Sequence, residues 1–136
     1  MSNGFCRALV IRCIDFRIRL KEFSDLLETI GYEEGSYDLM SLPGSAKGLL
    51  SAAEGCVLTG YIQIAERLHH IAEIVIIYHN NCGAYGIDDP KEEFEKQKND
   101  LQAIILLLKI AFPGIKVRTF KMNMKPLKPF TIAEII

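Results

Sequence analysis

The sequence has little of what membrane-bound, secreted or nucleic-acid-binding proteins require. Its 136 residues include no tryptophan, and the longest apolar stretches, near residues 74–77 and 104–108, are far too short to cross a bilayer. No basic segment followed by an apolar core opens the chain, so no signal peptide is predicted. The net charge of −1 offers no attraction to nucleic acid or to an anionic membrane. We therefore expect a cytoplasmic protein with neither kind of partner.

Cysteine is also sparse, and the spacing of its four positions does not suggest a disulfide framework. Cys6 and Cys56 are expected to be ordinary buried thiols. Cys13 and Cys82 each lie close behind an apolar run, where a side chain can serve a site. The chain is long enough to bury a core without crosslinks, so residues 1–136 are predicted to form a single domain.

Strand and helix patterns alternate from one end of the chain to the other. Apolar runs that end near Cys13, Leu42, His79 and Phe120 predict four strands, with helical patterns between them. This alternation is typical of an α/β fold. We predict a central, mainly parallel four-stranded sheet in the order 2-1-3-4, flanked by helices. A crevice should open where the first and third strands end.

Glycine and proline mark the predicted helix boundaries. Gly55 and Gly60 are expected to interrupt the second helical region, leaving a short helix before them and another over residues 61–70. Asp89 is the predicted N-cap of the longest helix, with Pro90 at its first position. The apolar stripe of that helix is predicted at Phe94, Leu101, Ile105 and Leu108. The tail at 130–136 is expected to dock onto the domain's own core or onto a second subunit.

Two short motifs carry the chemistry, CIDFR at residues 13–17 and HNNCG at residues 79–83. Each follows a predicted buried strand, and the carboxyl ends of neighbouring parallel strands meet at one edge of the sheet. Cys13, His79 and Cys82 can therefore reach one ion, and two thiolates with an imidazole favour Zn²⁺. Three protein ligands leave one tetrahedral position for solvent or substrate, as at catalytic zinc sites.

These motifs resemble the C-x-D-x-R and H-x-x-C-G signatures of the β-class carbonic anhydrases. The resemblance extends to the order of strands and helices over residues 8–86. It implies reversible hydration of carbon dioxide to bicarbonate by a zinc-bound hydroxide, with Cys13, His79 and Cys82 as metal ligands. It also implies a small-molecule substrate and a homodimer or higher homo-oligomer.

The same resemblance assigns a catalytic dyad beside the metal. In the family the aspartate, here Asp15, accepts a hydrogen bond from zinc-bound water while the arginine, here Arg17, pairs with it; it can also swing onto the metal as a fourth ligand. Gly44, Ser45 and Gly83 are the predicted substrate-pocket residues.

Two departures from the family pattern keep other functions open. Phe16 stands where the family usually has a small residue, and the loop at residues 43–48 matches the family poorly. A related zinc hydrolase acting on carbonyl sulfide or carbon disulfide is therefore one alternative. A catalytically silent, zinc-stabilised domain is the other.

Overall fold

The computed structural model describes residues 4–135, and it builds one five-stranded sheet with helices on both faces. None of the helices in this part of the chain combines the length and apolar character of a membrane span. Between the second strand and the second helix lies a 3₁₀ helix, Ser45–Leu50. The strands are β1 (Ala8–Cys13), β2 (Tyr37–Leu42), β3 (Glu73–His79), β4 (Lys116–Asn123) and β5 (Thr131–Ile135), and the helices are α1 (Leu20–Thr29), α2 (Ala52–His69) and α3 (Pro90–Ala111).

The strand order is β2-β1-β3-β4-β5. The predicted order of the first four strands is confirmed, and all of their pairings are parallel. The predicted count of four is wrong by one, because the tail forms β5, which pairs antiparallel with β4. Of the two docking partners expected for the tail, its own sheet is the one in contact with residues 131–135; Ile136 lies outside the described residues.

The sheet separates two apolar cores because successive side chains of a strand point to opposite faces. Leu9 and Ile11 of β1 face the core that α2 and α3 cover, while Ala8 and Val10 face the core under α1. Both β1 and β3 are buried along their whole length. The two strands that carry the motifs are therefore fixed in the middle of the domain, and their carboxyl ends share one edge.

The predicted break at Gly55 and Gly60 is wrong, since α2 runs unbroken through both glycines. Its N-cap is Ser51, whose hydroxyl accepts a hydrogen bond from the backbone of Glu54 at 3.3 Å. A Cβ at Gly55 would lie 2.8 Å from the carbonyl oxygen of Leu49. Glycine there permits close packing of α2 against the 3₁₀ helix and does not end a helix.

The apolar stripe of α3 is offset from the predicted one. Leu101 and Leu108 are buried as expected, but Ile105 is only half-buried. The buried face of α3 begins at position 93. That face also contains polar side chains: its members are Glu93, Gln97, Asp100, Leu101, Ile104 and Leu108. The first turns of α3 therefore bury hydrogen-bonding groups against the motif edge of the sheet.

Replacing Asp89 with alanine is expected to destabilise the domain by about 1 kcal/mol, or about 3 °C in Tm. The Asp89 carboxylate accepts hydrogen bonds from the backbone amides of Lys91 and Glu92 at 2.8 and 3.0 Å, as the predicted N-cap should. Thermal unfolding followed by circular dichroism measures the shift. Asp88→Ala, one residue earlier, is the matched control and should leave Tm unchanged; equal shifts in both variants would contradict the capping role.

Candidate metal centre

The structure brings together Cys13, His79 and Cys82. Cys13 is the last residue of β1, His79 is the last of β3, and Cys82 follows in the loop after β3. All three are at most 5% exposed, and their ligand atoms lie within 4.8 Å of one another. The two sulfurs are 3.9 Å apart. Two zinc–sulfur bonds of about 2.3 Å at a tetrahedral angle would separate the sulfurs by about 3.8 Å, so the spacing suits zinc.

The orientation of His79 also suits a metal. Its Nδ1 lies 2.7 Å from the carbonyl oxygen of Asn80, so Nδ1 carries the proton and donates it, leaving a lone pair on Nε2. Within residues 4–135, that buried Nε2 has no hydrogen-bond partner. Leaving a buried acceptor unpaired costs about 1–3 kcal/mol, which a bound cation would offset.

The two thiols are electrostatically coupled. A hydrogen bond from Cys82, with further hydrogen bonds from the backbone amides of Asp15 and Gly44, lowers the pKa of Cys13. The same contact between the sulfurs, together with burial, raises the pKa of Cys82. One sulfur is therefore ready to bind a cation as a thiolate, and metal binding would displace the proton that the pair retains.

Asp15 and Arg17 form a rigid ion pair beside this cluster. Arg17 donates from Nε to Oδ1 at 3.0 Å and from Nη2 to Oδ2 at 2.6 Å, and its backbone amide also reaches Oδ1. These hydrogen bonds lower the pKa of Asp15 to about 2. Oδ2 of Asp15 lies 3.8 Å from Nε2 of His79, so an ionised carboxylate faces the candidate ligands. Nη2 of Arg17 also donates to the carbonyl of Asn81 at 2.8 Å, which connects the two motifs.

The three predicted pocket residues, Gly44, Ser45 and Gly83, lie in the segments after β2 and β3, and each has a different structural setting. Gly44 has a φ of 70°, and a Cβ there would lie 3.1 Å from Ala84, so glycine permits the two loops to approach. The buried hydroxyl of Ser45 donates to the carbonyl oxygen of Ile11 at 3.2 Å. Gly83 is exposed, and a Cβ at this position would meet no described atom outside its chain neighbours within 4 Å.

A cleft of about 1170 Å³ opens beside Asn80 and Asn81, in the loop between His79 and Cys82. It lies between the start of α1 and the loop at 124–130, and Arg17 and Asn81 form part of its wall. Phe16, which departs from the family pattern, is 91% exposed. The cleft therefore reaches the candidate centre at Arg17 and Asn81, and none of Cys13, Asp15, His79 and Cys82 lines it.

The sequence did not predict that two polar side chains of α3 hold the loop that contains His79 and Cys82. Glu93, only 2% exposed, accepts hydrogen bonds from the backbone amides of Asn81 and Cys82, each at 2.8 Å. Gln97, one turn later, donates to the carbonyl of His79 at 2.9 Å and accepts from Lys121 at 2.6 Å. The signal was the spacing of positions 93 and 97 with Leu101, which puts two polar residues on the buried face of α3.

Glu93→Gln is expected to lower the free energy of unfolding by about 1–3 kcal/mol and the zinc affinity about tenfold. Glutamine keeps one acceptor oxygen but turns an amide group toward the second backbone N–H, which then has no acceptor. Urea unfolding and zinc competition with a chelator measure the two effects.

Glu95→Gln, on the exposed face of the same helix, is the matched control. Neither measurement should change in that variant. Unchanged zinc affinity in Glu93→Gln would show that the loop does not depend on this carboxylate.

The fold is similar to those of solved carbonic anhydrase structures. Over its whole length, the fold matches a carbonic anhydrase from Streptococcus mutans with a TM-score of 0.65 at 16% identity, covering 86% of that chain. It also matches tetrameric β-carbonic anhydrases from Sordaria macrospora with a TM-score of 0.65 at 15% identity, over 97% of this chain and 81% of that one. The fold is therefore that of the β-carbonic anhydrases.

The family follows from sequence. Residues 1–125 match the family model described as "Putative carbonic anhydrase". An uncharacterized protein of Rickettsia conorii is 32% identical in a 126-residue alignment that covers 85% of this chain and 67% of that protein. One of Rickettsia bellii is 31% identical over the same share of this chain and 76% of its own length. The chain belongs to this carbonic anhydrase family, as the motifs predicted.

Proposed function

We propose that the protein is a zinc-dependent carbonic anhydrase that interconverts carbon dioxide and bicarbonate. The observation that carries the proposal is the buried Cys13–His79–Cys82 cluster, with an unpaired imidazole lone pair, directly beside the ionised carboxylate of Asp15. The three side chains would hold Zn²⁺. When bound, Zn²⁺ acts as a Lewis acid that makes water a nucleophile near neutral pH.

The chain's own residues would orient this chemistry. Arg17 occupies both oxygens of Asp15 and keeps the carboxylate ionised, so Asp15 acts as a fixed hydrogen-bond acceptor at the cluster. The hydrogen bond from Arg17 to the Asn81 carbonyl keeps this acceptor aligned with the loop of Cys82. The lining of a substrate pocket by Gly44, Ser45 and Gly83 remains a prediction.

We infer a homo-oligomer, because the Sordaria proteins of similar fold are tetrameric and because Phe16 and Leu127 expose large apolar side chains. The cytoplasm remains the proposed location. The proposed partner is a small molecule.

The decisive experiment is stopped-flow carbon dioxide hydration by zinc-loaded protein, beside chelator-stripped protein and with carbonyl sulfide as a second substrate. We expect hydration that depends on zinc. Carbonyl sulfide turnover without carbon dioxide hydration would replace the proposal with the related hydrolase. Inactivity toward both, combined with unfolding when zinc is removed, would leave a silent zinc-stabilised domain.

A further inference from the structure

A second group of metal-ligating side chains lies away from the candidate metal centre. The thiol of Cys6, the carboxylate of Asp38 and the imidazole of His69 have ligand atoms within 4.8 Å of one another. Cys6 precedes β1 and Asp38 is near the start of β2, whereas the motifs follow the ends of β1 and β3. The group is therefore at the opposite edge of the sheet, and the proposed reaction makes no use of it.

Backbone contacts hold the three residues in place. The amide of Cys6 donates to the carbonyl of His69 at 3.0 Å, which ties the segment before β1 to the end of α2. Asp38 is paired with Leu9 in the register of β1 and β2. His69 is the last residue of α2, and His70 ends the helix in the left-handed region with a φ of 54°. The segment before β1, strand β2 and helix α2 thus each place one candidate metal-ligand atom in the same small region.

The side chains already interact with one another. Nδ1 of His69 lies 2.7 Å from Oδ2 of Asp38, a hydrogen bond between two groups that are each about one-third exposed. Burial, and then the negative charge of Asp38, raise the pKa of the Cys6 thiol, which shows how close this sulfur is to the carboxylate. All three residues are half-buried, so an ion could enter from solvent.

We propose that Cys6, Asp38 and His69 form a second zinc site. Thiolate, imidazole and carboxylate are all zinc ligands, and solvent can fill the fourth position. Binding would displace the thiol proton of Cys6, and the Nδ1 proton of His69 would move to Nε2, so that Nδ1 and the carboxylate of Asp38 could both bind the cation. The bound ion would join the segment before β1, the edge strand β2 and the end of α2, so its effect would be on stability rather than on catalysis.

Zinc stoichiometry of the chelator-stripped, reduced protein, titrated up to micromolar free Zn²⁺, tests the site. We expect two equivalents for the wild type and one each for Cys6→Ser and His69→Gln. Cys56→Ser changes an exposed cysteine more than three turns before His69 on α2; it is the matched control and should keep two. Carbon dioxide hydration should be the same in Cys6→Ser as in the wild type.

Cobalt absorption distinguishes this site from the first one. In a Cys13→Ser/Cys82→Ser background, one Co²⁺ should bind with a thiolate-to-metal charge-transfer band, and adding Cys6→Ser should abolish the band. Circular dichroism checks that the background is folded, and the zinc stoichiometry does not depend on that background. A single equivalent in the wild type, or two equivalents in Cys6→Ser, would overturn the second site while leaving the proposed catalytic centre intact.

Discussion

Replacing Cys82 with serine is expected to remove zinc from the candidate metal centre and to abolish carbon dioxide hydration. A serine hydroxyl stays protonated at neutral pH and replaces one of only three protein ligands. Removing a residue that only hydrogen-bonds to a metal ligand already lowers metal affinity about 10–100-fold. Removing a ligand itself should therefore lower the affinity more than about 100-fold. Zinc competition and stopped-flow hydration measure the two losses.

Cys56→Ser is the matched control, because it makes the same change at an exposed position. It should retain full activity and full zinc content. Hydration by Cys82→Ser at the wild-type rate would refute the assignment of this cluster as the catalytic centre, whereas loss of activity in both variants would point to general damage from the loss of a thiol.

Asp15→Asn is expected to lower kcat about 100-fold with zinc content unchanged, in line with the contribution of a positioned proton acceptor. The amide keeps the size of the carboxylate but replaces one acceptor oxygen with a donor. That donor would oppose either the N–H groups of Arg17 or the O–H of the reacting water, for which Asp15 is the proposed acceptor. Metal analysis separates a catalytic loss from a loss of zinc.

Asp88→Asn serves as control, since Asp88 is exposed and does not line the cleft. Its kcat should equal that of the wild type. If Asp15→Asn hydrates carbon dioxide as fast as the wild type, the dyad has only a structural role; if it loses zinc, Asp15 supports metal binding itself.

The central part of the fold was predictable because its signals are local and strong. The runs before Cys13 and His79 are apolar almost without interruption, as buried parallel strands require, and each ends at a motif. Adjacent parallel strands then had to place the motifs at one edge. The structure shows the resulting juxtaposition of Cys13, His79 and Cys82.

The features that the sequence did not reveal depend on distant partners. Gly55 looks like a helix breaker until the carbonyl of Leu49 is seen against it. Glu93 looks like a surface residue until the amides of the ligand loop are placed above it. Cys56 was expected to be buried and is exposed, because it lies on a side of α2 that does not pack against the sheet. Cys6 is only half-buried, because it precedes the buried strand β1. Residues 131–135 form a strand because they pair with the free edge of β4.

The hydrogen bonds from Glu93 and Gln97 have a consequence for how the protein acquires its metal. They join α3 to the loop of His79 and Cys82 through protein groups alone, so we expect the loop to keep its shape when the cluster holds no ion. Zinc would then add stability only in proportion to the logarithm of its free concentration relative to Kd. A chain built this way would fold first and be loaded afterwards, and could be emptied and refilled without unfolding.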